Sequence, residues 1–173
     1  MDSLRDLIRN VPDFPKKGIG FKDITTLIKD SKGFTQTIEK LCEPYKNMNV
    51  DIVAGIESRG FIFGGAVAVE LQAGFVPIRK KGKLPAETFF EEYALEYGTD
   101  AVEVHKDAVD KGMKVLLVDD LLATGGTAAA SVRLLKKLGS EVVGAAFVIE
   151  LGFLGGRKEL KNVPLHILIN FNE

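Results

Sequence analysis

Two neighbouring carboxylates followed by a loop of small residues form the part of this sequence best suited to chemistry. Asp119 and Asp120 come directly after the apolar run 115–118, and residues 123–127 carry no bulky side chain. Backbone amides in such a loop can converge on a phosphate, while two acceptor-only carboxylates suit a vicinal diol, such as a ribose, or a metal ion. The segment 115–127 therefore predicts a site for a ligand that combines a sugar diol and a phosphate with associated Mg²⁺.

Every residue of the small loop has a physical use in anion binding. Ala123 leaves the backbone accessible, and Gly125 and Gly126 allow backbone conformations that other residues resist. Thr124 and Thr127 add hydroxyl donors, and the helix that follows presents its positive end to the anion. The spacing fits neither a Walker loop nor a dinucleotide fingerprint. The alternative is a structural turn, in which an aspartate caps a tight helix start.

Short β-branched runs that alternate with helical ones supply the elements that would position these residues. Strands are predicted at 52–56, 75–78, 114–118, 142–149 and 165–169, and helices at 34–45, 60–71 and 128–138. The helix at 60–71 is almost wholly apolar and is therefore expected to be buried. This alternation predicts an α/β fold whose parallel sheet is covered on both faces, with ligands bound beyond the carboxyl ends of the strands.

Composition narrows the classes of protein that remain. The length of 173 residues suits one domain, and a net charge of −1 gives no overall attraction to nucleic acid or membranes, so neither is expected as a partner. The single cysteine, Cys42, excludes an internal disulfide and is expected to be a small buried hydrophobe. Without a signal-peptide pattern or a long apolar run, a cytoplasmic location is expected.

Segment 115–127 resembles the signature of type I phosphoribosyltransferases. The resemblance implies that Asp119 and Asp120 bind the ribose hydroxyls of phosphoribosyl pyrophosphate and that residues 123–127 bind its 5′-phosphate. It also implies one domain over residues 1–173, with a parallel β-sheet flanked by helices. A small N-terminal hood is expected within residues 1–30 and a flexible active-site lid loop within residues 80–100. The signature leaves the nucleobase open.

The stretch 13–25 resembles adenine phosphoribosyltransferases, and with two further segments this similarity covers nearly the whole chain. In that family the stretch forms a hood whose backbone reads the edge of adenine while an aromatic ring packs on its face. The matching positions are Gly20, Phe21 and Lys22. The alternative is a surface loop with Phe21 packed into the core.

The second similar segment, 55–61, contains Arg59 beside a glycine at a predicted helix start. A guanidinium there can hold pyrophosphate oxygens in a fork, which a lysine cannot. The resemblance implies that this turn holds the pyrophosphate and contains a cis peptide, expected between Glu57 and Ser58. The alternative is an arginine that caps a neighbouring helix.

The third segment runs from the basic cluster 79–83 to residue 98. Its composition alone indicates a solvated loop, whereas the resemblance implies a lid that closes over the site. Lys80 and Lys83 match pyrophosphate-binding positions, and Lys83 would reach across the interface of a homodimer. Glu96 and Tyr97 match residues that lie over the base and the reacting centre. Residues 86–88 depart from other family members.

The reaction implied is adenine plus phosphoribosyl pyrophosphate to AMP and pyrophosphate. Arg59 and Glu96 are the catalytic candidates, the latter for proton transfer at the base. Mg²⁺ would be held mainly by the substrate's pyrophosphate and water, with no direct protein ligand. Two alternatives remain: transfer to hypoxanthine, xanthine or orotate, and a regulator that binds phosphoribosyl pyrophosphate without catalysis.

Overall fold

A seven-stranded, mostly parallel sheet is the central element of the structure. The computed structural model describes residues 3–95 and 98–172. Within them the strands are β1 Arg9–Val11, β2 Phe21–Asp23, β3 Ile52–Ile56, β4 Gly74–Lys80, β5 Thr88–Ala94, β6 Thr99–His105, β7 Lys114–Leu122, β8 Glu141–Leu151 and β9 Leu165–Phe171. The helices are α1 Thr25–Lys29, α2 Ser31–Cys42, α3 Gly60–Glu70 and α4 Gly126–Lys137, with 3₁₀ helices at Glu43–Tyr45, Gly152–Leu154 and Gly156–Leu160.

The order of the strands locates the crevice in which a ligand would bind. The order is β5-β6-β4-β3-β7-β8-β9, and every neighbouring pair from β4 to β9 is parallel. From β3 the chain continues through α3 to β4 on one side, and from β7 it continues through α4 to β8 on the other. The carboxyl ends of β3 and β7 therefore flank the topological switch point, where open α/β sheets bind ligands.

Both faces of the sheet are buried, which explains the continuous apolar run in β7. Leu116 and Val118 belong to a core cluster with Phe63 of α3, whereas Leu117 lies in a second cluster with Leu134 of α4. Successive strand residues point to opposite faces, so a strand covered on both sides needs apolar residues at every position. The predicted α/β fold class is confirmed.

The predicted environment of α3 is wrong on one side of the helix. Ile62 is 43% exposed and Val69 is 80% exposed, and the two residues lie on the same face of the helix. The opposite side, with Phe63 and Val67, is fully buried. Overall apolarity therefore did not reveal that one face remains uncovered within the described part of the chain.

The predicted lid loop contains regular structure. β5 and β6 form an antiparallel hairpin, and β6 also pairs antiparallel with the end of β4 through Arg79↔Glu103 and Lys80↔Val102. The loop assignment for 80–100 is therefore corrected to a hairpin at the edge of the sheet. Its movement as a lid stays a prediction, and Glu96 and Tyr97 lie outside the described residues.

The N-terminal segment forms a separate two-stranded sheet. β1 and β2 pair antiparallel, with Val11 opposite Phe21 and Arg9 opposite Asp23, and Arg9 and Asp23 form an ion pair. Asp30 is the N-cap of α2, and its side chain accepts a hydrogen bond from Gly33 N.

Two further expectations can be compared with the structure. Cys42 is fully buried, and desolvation raises the pKa of its thiol to about 11, as expected for a structural cysteine. Among the helices described, none combines the length and apolarity needed to cross a membrane.

Candidate active site

The turn after β3 connects two strands of the sheet through one carboxylate. The Glu57–Ser58 peptide is cis, as the resemblance implied. Glu57 accepts hydrogen bonds from Lys80 N at 2.8 Å and from Arg79 Nε at 2.9 Å. Burial alone would raise the pKa of Glu57, but these hydrogen bonds outweigh it and the pKa lies below its usual range. Glu57 thus fixes the carboxyl end of β4 beside the turn that carries Arg59.

Residues 123–127, the loop predicted to bind a phosphate and called the phosphate loop below, follow β7. Close backbone contacts on one side limit the movement of this loop. Gly125 has φ +87°, which favours glycine, and it is the N-cap of α4. A Cβ at Gly125 would lie 2.4 Å from Gly156 O, and a Cβ at Gly156 would lie 2.3 Å from Ala123 O. Two glycines at this contact allow the 3₁₀ helix Gly156–Leu160 to support the loop.

The turn after β3, the end of β7 and the phosphate loop enclose one cavity of about 340 Å³. The predicted site residues that line it are Arg59, Lys80, Asp119, Asp120, Ala123, Thr124, Gly125, Gly126 and Thr127. These residues come from the ends of β3, β4 and β7, so the cavity lies at the switch point of the sheet. Such a position, with backbone amides and carboxylates in one crevice, suits a phosphorylated sugar.

The two aspartates lie within the carboxyl-terminal part of β7, which extends further than predicted. Asp119 Oδ1 accepts a hydrogen bond from Asp120 N at 2.8 Å. Desolvation, followed by repulsion from Asp120, raises the pKa of Asp119 well above its usual range, and desolvation also raises the pKa of Asp120. A pair held in this way gains from any ligand that offers it hydrogen-bond donors.

Arg59 connects the acidic pair to the hood. Its Nε lies 2.8 Å from Asp120 Oδ2, but this contact lacks hydrogen-bond geometry and is an ion pair only. The guanidinium carbon lies 5.2 Å from the centroid of the Phe21 ring. The alternative of Arg59 as a cap for a neighbouring helix is not what the structure has, because its partner is a carboxylate in the cavity.

The three hood positions lie outside the cavity lining, and of them Phe21 is next to Arg59, which lines it. Phe21 is half-buried and packs edge-to-face on Phe14 at 5.2 Å, so it is not a core residue. Lys22 Nζ donates to Asn10 Oδ1 at 3.1 Å and lies 4.4 Å from the centroid of the Phe171 ring. Gly20 is exposed.

The two predicted lysines have different surroundings. Lys80 Nζ contacts Asp100 and Tyr93, and these partners raise its pKa although burial alone would lower it. Lys83 is exposed and is not among the residues that line this cavity. The structure therefore brings Lys80, but not Lys83, to the chain's own cavity.

The sequence of this chain is similar to those of known proteins with one common activity. Residues 24–164 match the phosphoribosyl transferase domain family. The chain is 55% identical to adenine phosphoribosyltransferase of Koribacter versatilis (strain Ellin345), over 99% of this chain and 94% of that protein. It is 57% identical to adenine phosphoribosyltransferase of Cyanothece sp. (strain PCC 7425), over 97% of this chain and 99% of that protein. The chain belongs to the adenine phosphoribosyltransferase family.

Solved structures of adenine phosphoribosyltransferases share the whole fold. The enzyme of Rhodothermus marinus is 53% identical with a TM-score of 0.93, covering 97% of this chain and 96% of that one. The enzyme of Saccharomyces cerevisiae, solved with an imino-altritol bisphosphate and adenine, is 41% identical with a TM-score of 0.90, covering 95% of this chain and 96% of that one. The predicted single-domain type I fold is thereby confirmed.

Several residues that position the adenine phosphoribosyltransferase site were not predicted from the sequence. Asp100 and Tyr93 contact Lys80, and Gly156 supports the phosphate loop. Asp100 lies 20 residues from Lys80 along the chain. No local motif marks either contact, and only the pairing of β6 with β4 could have suggested the first.

Proposed function

We propose that this chain transfers the phosphoribosyl group of phosphoribosyl pyrophosphate to adenine, which yields AMP and pyrophosphate and serves purine salvage. The observation that carries the proposal is the single cavity in which the phosphate loop, the acidic pair and Arg59 meet. Relatives named adenine phosphoribosyltransferase at 53–57% identity over nearly the full chain support the choice of base.

The sugar-phosphate half of the substrate would be held by β7 and the start of α4. The loop 123–127 would bind the 5′-phosphate through its amides and hydroxyls, assisted by the positive end of α4. Asp119 and Asp120 would accept hydrogen bonds from the ribose hydroxyls. Both ends of the sugar would then be fixed, which leaves C1 in a defined position for attack.

The chemical step is a displacement at C1 of the ribose. A ring nitrogen of adenine forms the new bond to C1 while the bond from C1 to the pyrophosphate oxygen breaks, and its electron pair leaves with the pyrophosphate. The transition state resembles an oxocarbenium ion, as in glycoside chemistry. Arg59, Lys80 and Lys83 would stabilise the departing charge. The adenine N–H proton would pass to Glu96 or to water.

Magnesium fits the donor chemistry of the cavity. Asp119 and Asp120 are oxygen ligands of the kind that Mg²⁺ prefers, although Arg59 already neutralises part of their charge. Among the described residues, no cluster of three or more His, Cys, Asp or Glu side chains could hold a metal alone. We assign the ion mainly to the substrate's pyrophosphate and to water, because the proposal uses Asp119 and Asp120 for the ribose hydroxyls. Bound there, it would supply positive charge against the leaving group.

The base would lie against the hood, beside the turn that carries Arg59. Phe21 would pack on the face of adenine, and backbone groups of Gly20 and Lys22 would read its edge. The contact between Phe21 and the Arg59 guanidinium supports this arrangement, because it brings the hood to the pyrophosphate side of the cavity. Tyr97 and Glu96 would cover the base when the hairpin closes.

Assembly as a homodimer is part of the proposal. The exposed apolar face of α3 is suited to a second copy, and Lys83 extends outside the chain's own cavity. A lysine supplied by the partner to this cavity would complete the set of cations around the pyrophosphate. A cytoplasmic location stays a prediction.

Pyrophosphate release from phosphoribosyl pyrophosphate and Mg²⁺ tests the function directly. Adenine, guanine, hypoxanthine and orotate are supplied in turn to the purified protein, and the nucleoside monophosphate formed is identified by chromatography. Of the four bases, we expect only adenine to cause release of pyrophosphate, with one AMP formed for each pyrophosphate released. Omission of Mg²⁺ should abolish release.

The other outcomes have clear meanings. Release with hypoxanthine but not adenine would refute the assignment of the base. Binding of phosphoribosyl pyrophosphate without release for any base would identify a regulator instead of an enzyme.

A further inference from the structure

The turn between β4 and β5 holds the main chain of Lys83 from two sides. Its amide and its carbonyl each have a side-chain partner, although its own side chain is exposed. Gly82, just before it, has φ +86°, and no atom lies within 4 Å of a Cβ built on it. No steric contact at Gly82 holds the turn in place. The two side-chain partners of Lys83 therefore maintain its backbone conformation.

The first partner is Glu103, a residue of β6 that is only 3% exposed. Its Oε1 accepts hydrogen bonds from Lys83 N and Leu84 N, both at 2.8 Å, and its Oε2 accepts one from Thr88 Oγ1 at 3.3 Å. Burial alone would raise the pKa of Glu103, but hydrogen bonds from the amides of the turn, led by that of Leu84, outweigh it and the pKa is lowered. The group is thus a charged acceptor.

The second partner is Arg79, which lies opposite Glu103 in the pairing of β4 with β6. Its Nη1 donates to Lys83 O at 3.2 Å, and its Nε donates to Glu57 Oε2 at 2.9 Å. Glu57 lines the candidate active site. The Lys83 turn is therefore connected to the cavity through one arginine.

A carboxylate is an unusual choice at the position of Glu103. Its neighbours on β6, Val102 and Val104, are almost fully buried. A buried carboxylate destabilises a fold unless hydrogen bonds satisfy it, and an apolar residue would serve the sheet as well. The hydrogen bonds of Glu103 go to the turn that carries Lys83, which indicates that the residue is there as an acceptor for the amides of that turn.

We propose that Glu103 is a positioning residue, which fixes the main chain of Lys83 so that its ammonium group is presented to the pyrophosphate of the substrate. The inference rests on the proposed function, because Lys83 needs positioning only if the chain binds phosphoribosyl pyrophosphate. Holding the backbone in advance reduces the conformational entropy lost when a flexible lysine binds an anion.

A double-mutant cycle with Glu103→Leu and Lys83→Ala tests the proposal. Leucine keeps the volume but leaves the two amides without their acceptor. We expect Glu103→Leu to raise the KM for phosphoribosyl pyrophosphate about tenfold and to leave the KM for adenine within about twofold. In the Lys83→Ala background the same substitution should change neither KM by more than about twofold, because its effect passes through Lys83.

Three variants complete the design. Glu103→Gln should restore most of the wild-type KM, since its amide oxygen can still accept from both backbone amides. Thr88→Val, which removes only the third hydrogen bond, should behave as the wild type. Glu103→Asp, one methylene shorter and still charged, replaces the leucine variant in the cycle if that variant does not fold.

The outcomes separate this inference from the proposed function. An equal rise in KM with and without Lys83, or no rise at all, would overturn the positioning role while wild-type activity stands. A rise in the KM for both substrates, together with a loss of thermal stability, would assign Glu103 a purely structural role. A wild-type protein that transfers nothing to adenine would refute the proposed function before any variant is measured.

Discussion

Asp119 and Asp120 work against the stability of the chain at neutral pH. Desolvation raises the pKa of both carboxyls, repulsion from Asp120 raises that of Asp119 further, and the Arg59 guanidinium offsets only part of these shifts. Residues that destabilise a fold while lining its cavity are a common compromise between function and stability. The pair is therefore better explained by a ligand than by folding.

Substitution of Asp119 by asparagine should separate these two effects. The amide oxygen of the new side chain would still accept the hydrogen bond from Asp120 N, but without the charge. We expect the free energy of unfolding without substrate to rise by about 0.5–2 kcal/mol, the usual gain from one stabilising substitution. We expect kcat/KM for phosphoribosyl pyrophosphate to fall about tenfold to a hundredfold, because hydrogen bonds to charged groups are the stronger ones. Thermal melts and steady-state kinetics measure the two effects.

The gain in stability should depend on pH in a defined direction. A carboxyl whose pKa is raised by folding favours the folded state at low pH, and this contribution is lost as pH rises through the raised pKa. The difference in Tm between Asp119→Asn and wild type should therefore be largest at alkaline pH and shrink as pH falls towards the ordinary range of a carboxyl group. A difference that stayed constant over this range would contradict the assigned pKa shift.

At the scale of elements, the hairpin of β5 and β6 is seated on the helix that begins in the phosphate loop. Arg133 of α4 donates to Glu91 Oε1 at 2.9 Å and to Glu92 O at 3.3 Å. A Cβ at Gly126 would lie 3.2 Å from the ring of Tyr93. Because Tyr93 also contacts Lys80, the hairpin touches the cavity both at the start of α4 and at the end of β4.

We predict that opening of this hairpin limits turnover. Wild-type enzyme should show a pre-steady-state burst of AMP, since product would leave only when the hairpin opens. Arg133→Ala should reduce the burst, because the hairpin would open more readily without this link to α4. It should leave Tm within a few degrees, because a half-exposed ion pair contributes only about 0–1 kcal/mol. Rapid-quench kinetics measures the burst.

Lys106→Ala provides the control for that prediction. It removes the exposed ion pair with Glu87 at the base of the same hairpin and leaves the ion pair between Arg133 and Glu91 in place. Its burst should match the wild type. A linear time course for the wild-type enzyme would show that hairpin opening does not limit the rate.

The elements differ in how much of them the sequence reveals. The parallel strands were predictable because burial on both faces demands continuous apolar runs, as at residues 52–56. β5 and β6 were not, because their pattern of half-exposed and buried residues mixes phenylalanine and tyrosine with glutamate. The roles of Glu103 and Gly156 depend on contacts between segments that are distant in sequence, for which neither residue type gives a local signal.

At the scale of the whole molecule, the exposed face of α3 and the outward position of Lys83 are both consistent with a dimer. Ile62 and Val69 lie about two helical turns apart on one face of α3, and Phe75 of β4 is also 38% exposed. An apolar stripe of this kind on a helix next to the active-site turn suits a second copy. Binding of substrate and assembly would then be coupled.

Introducing a charge on that face should separate the subunits. We expect Val69→Asp to shift the protein from dimer to monomer in light scattering and to raise the KM for phosphoribosyl pyrophosphate about tenfold, since the partner's lysine would be lost. Met48→Asp introduces the same charge at another exposed apolar residue and should change neither property. A wild-type protein that is monomeric at assay concentration and fully active would contradict the prediction.

The contact between Gly125 and Gly156 has a consequence for redesign of the enzyme. Any side chain added at either glycine would collide with backbone atoms, which cannot rotate away. Substitutions at this contact are therefore not a route to reshaping the phosphate loop. Gly20 in the hood is different, because a Cβ there would meet only Asn10 Oδ1, at 3.5 Å. Variant libraries for unnatural nucleobases should therefore concentrate on the hood and leave the sugar-phosphate half untouched.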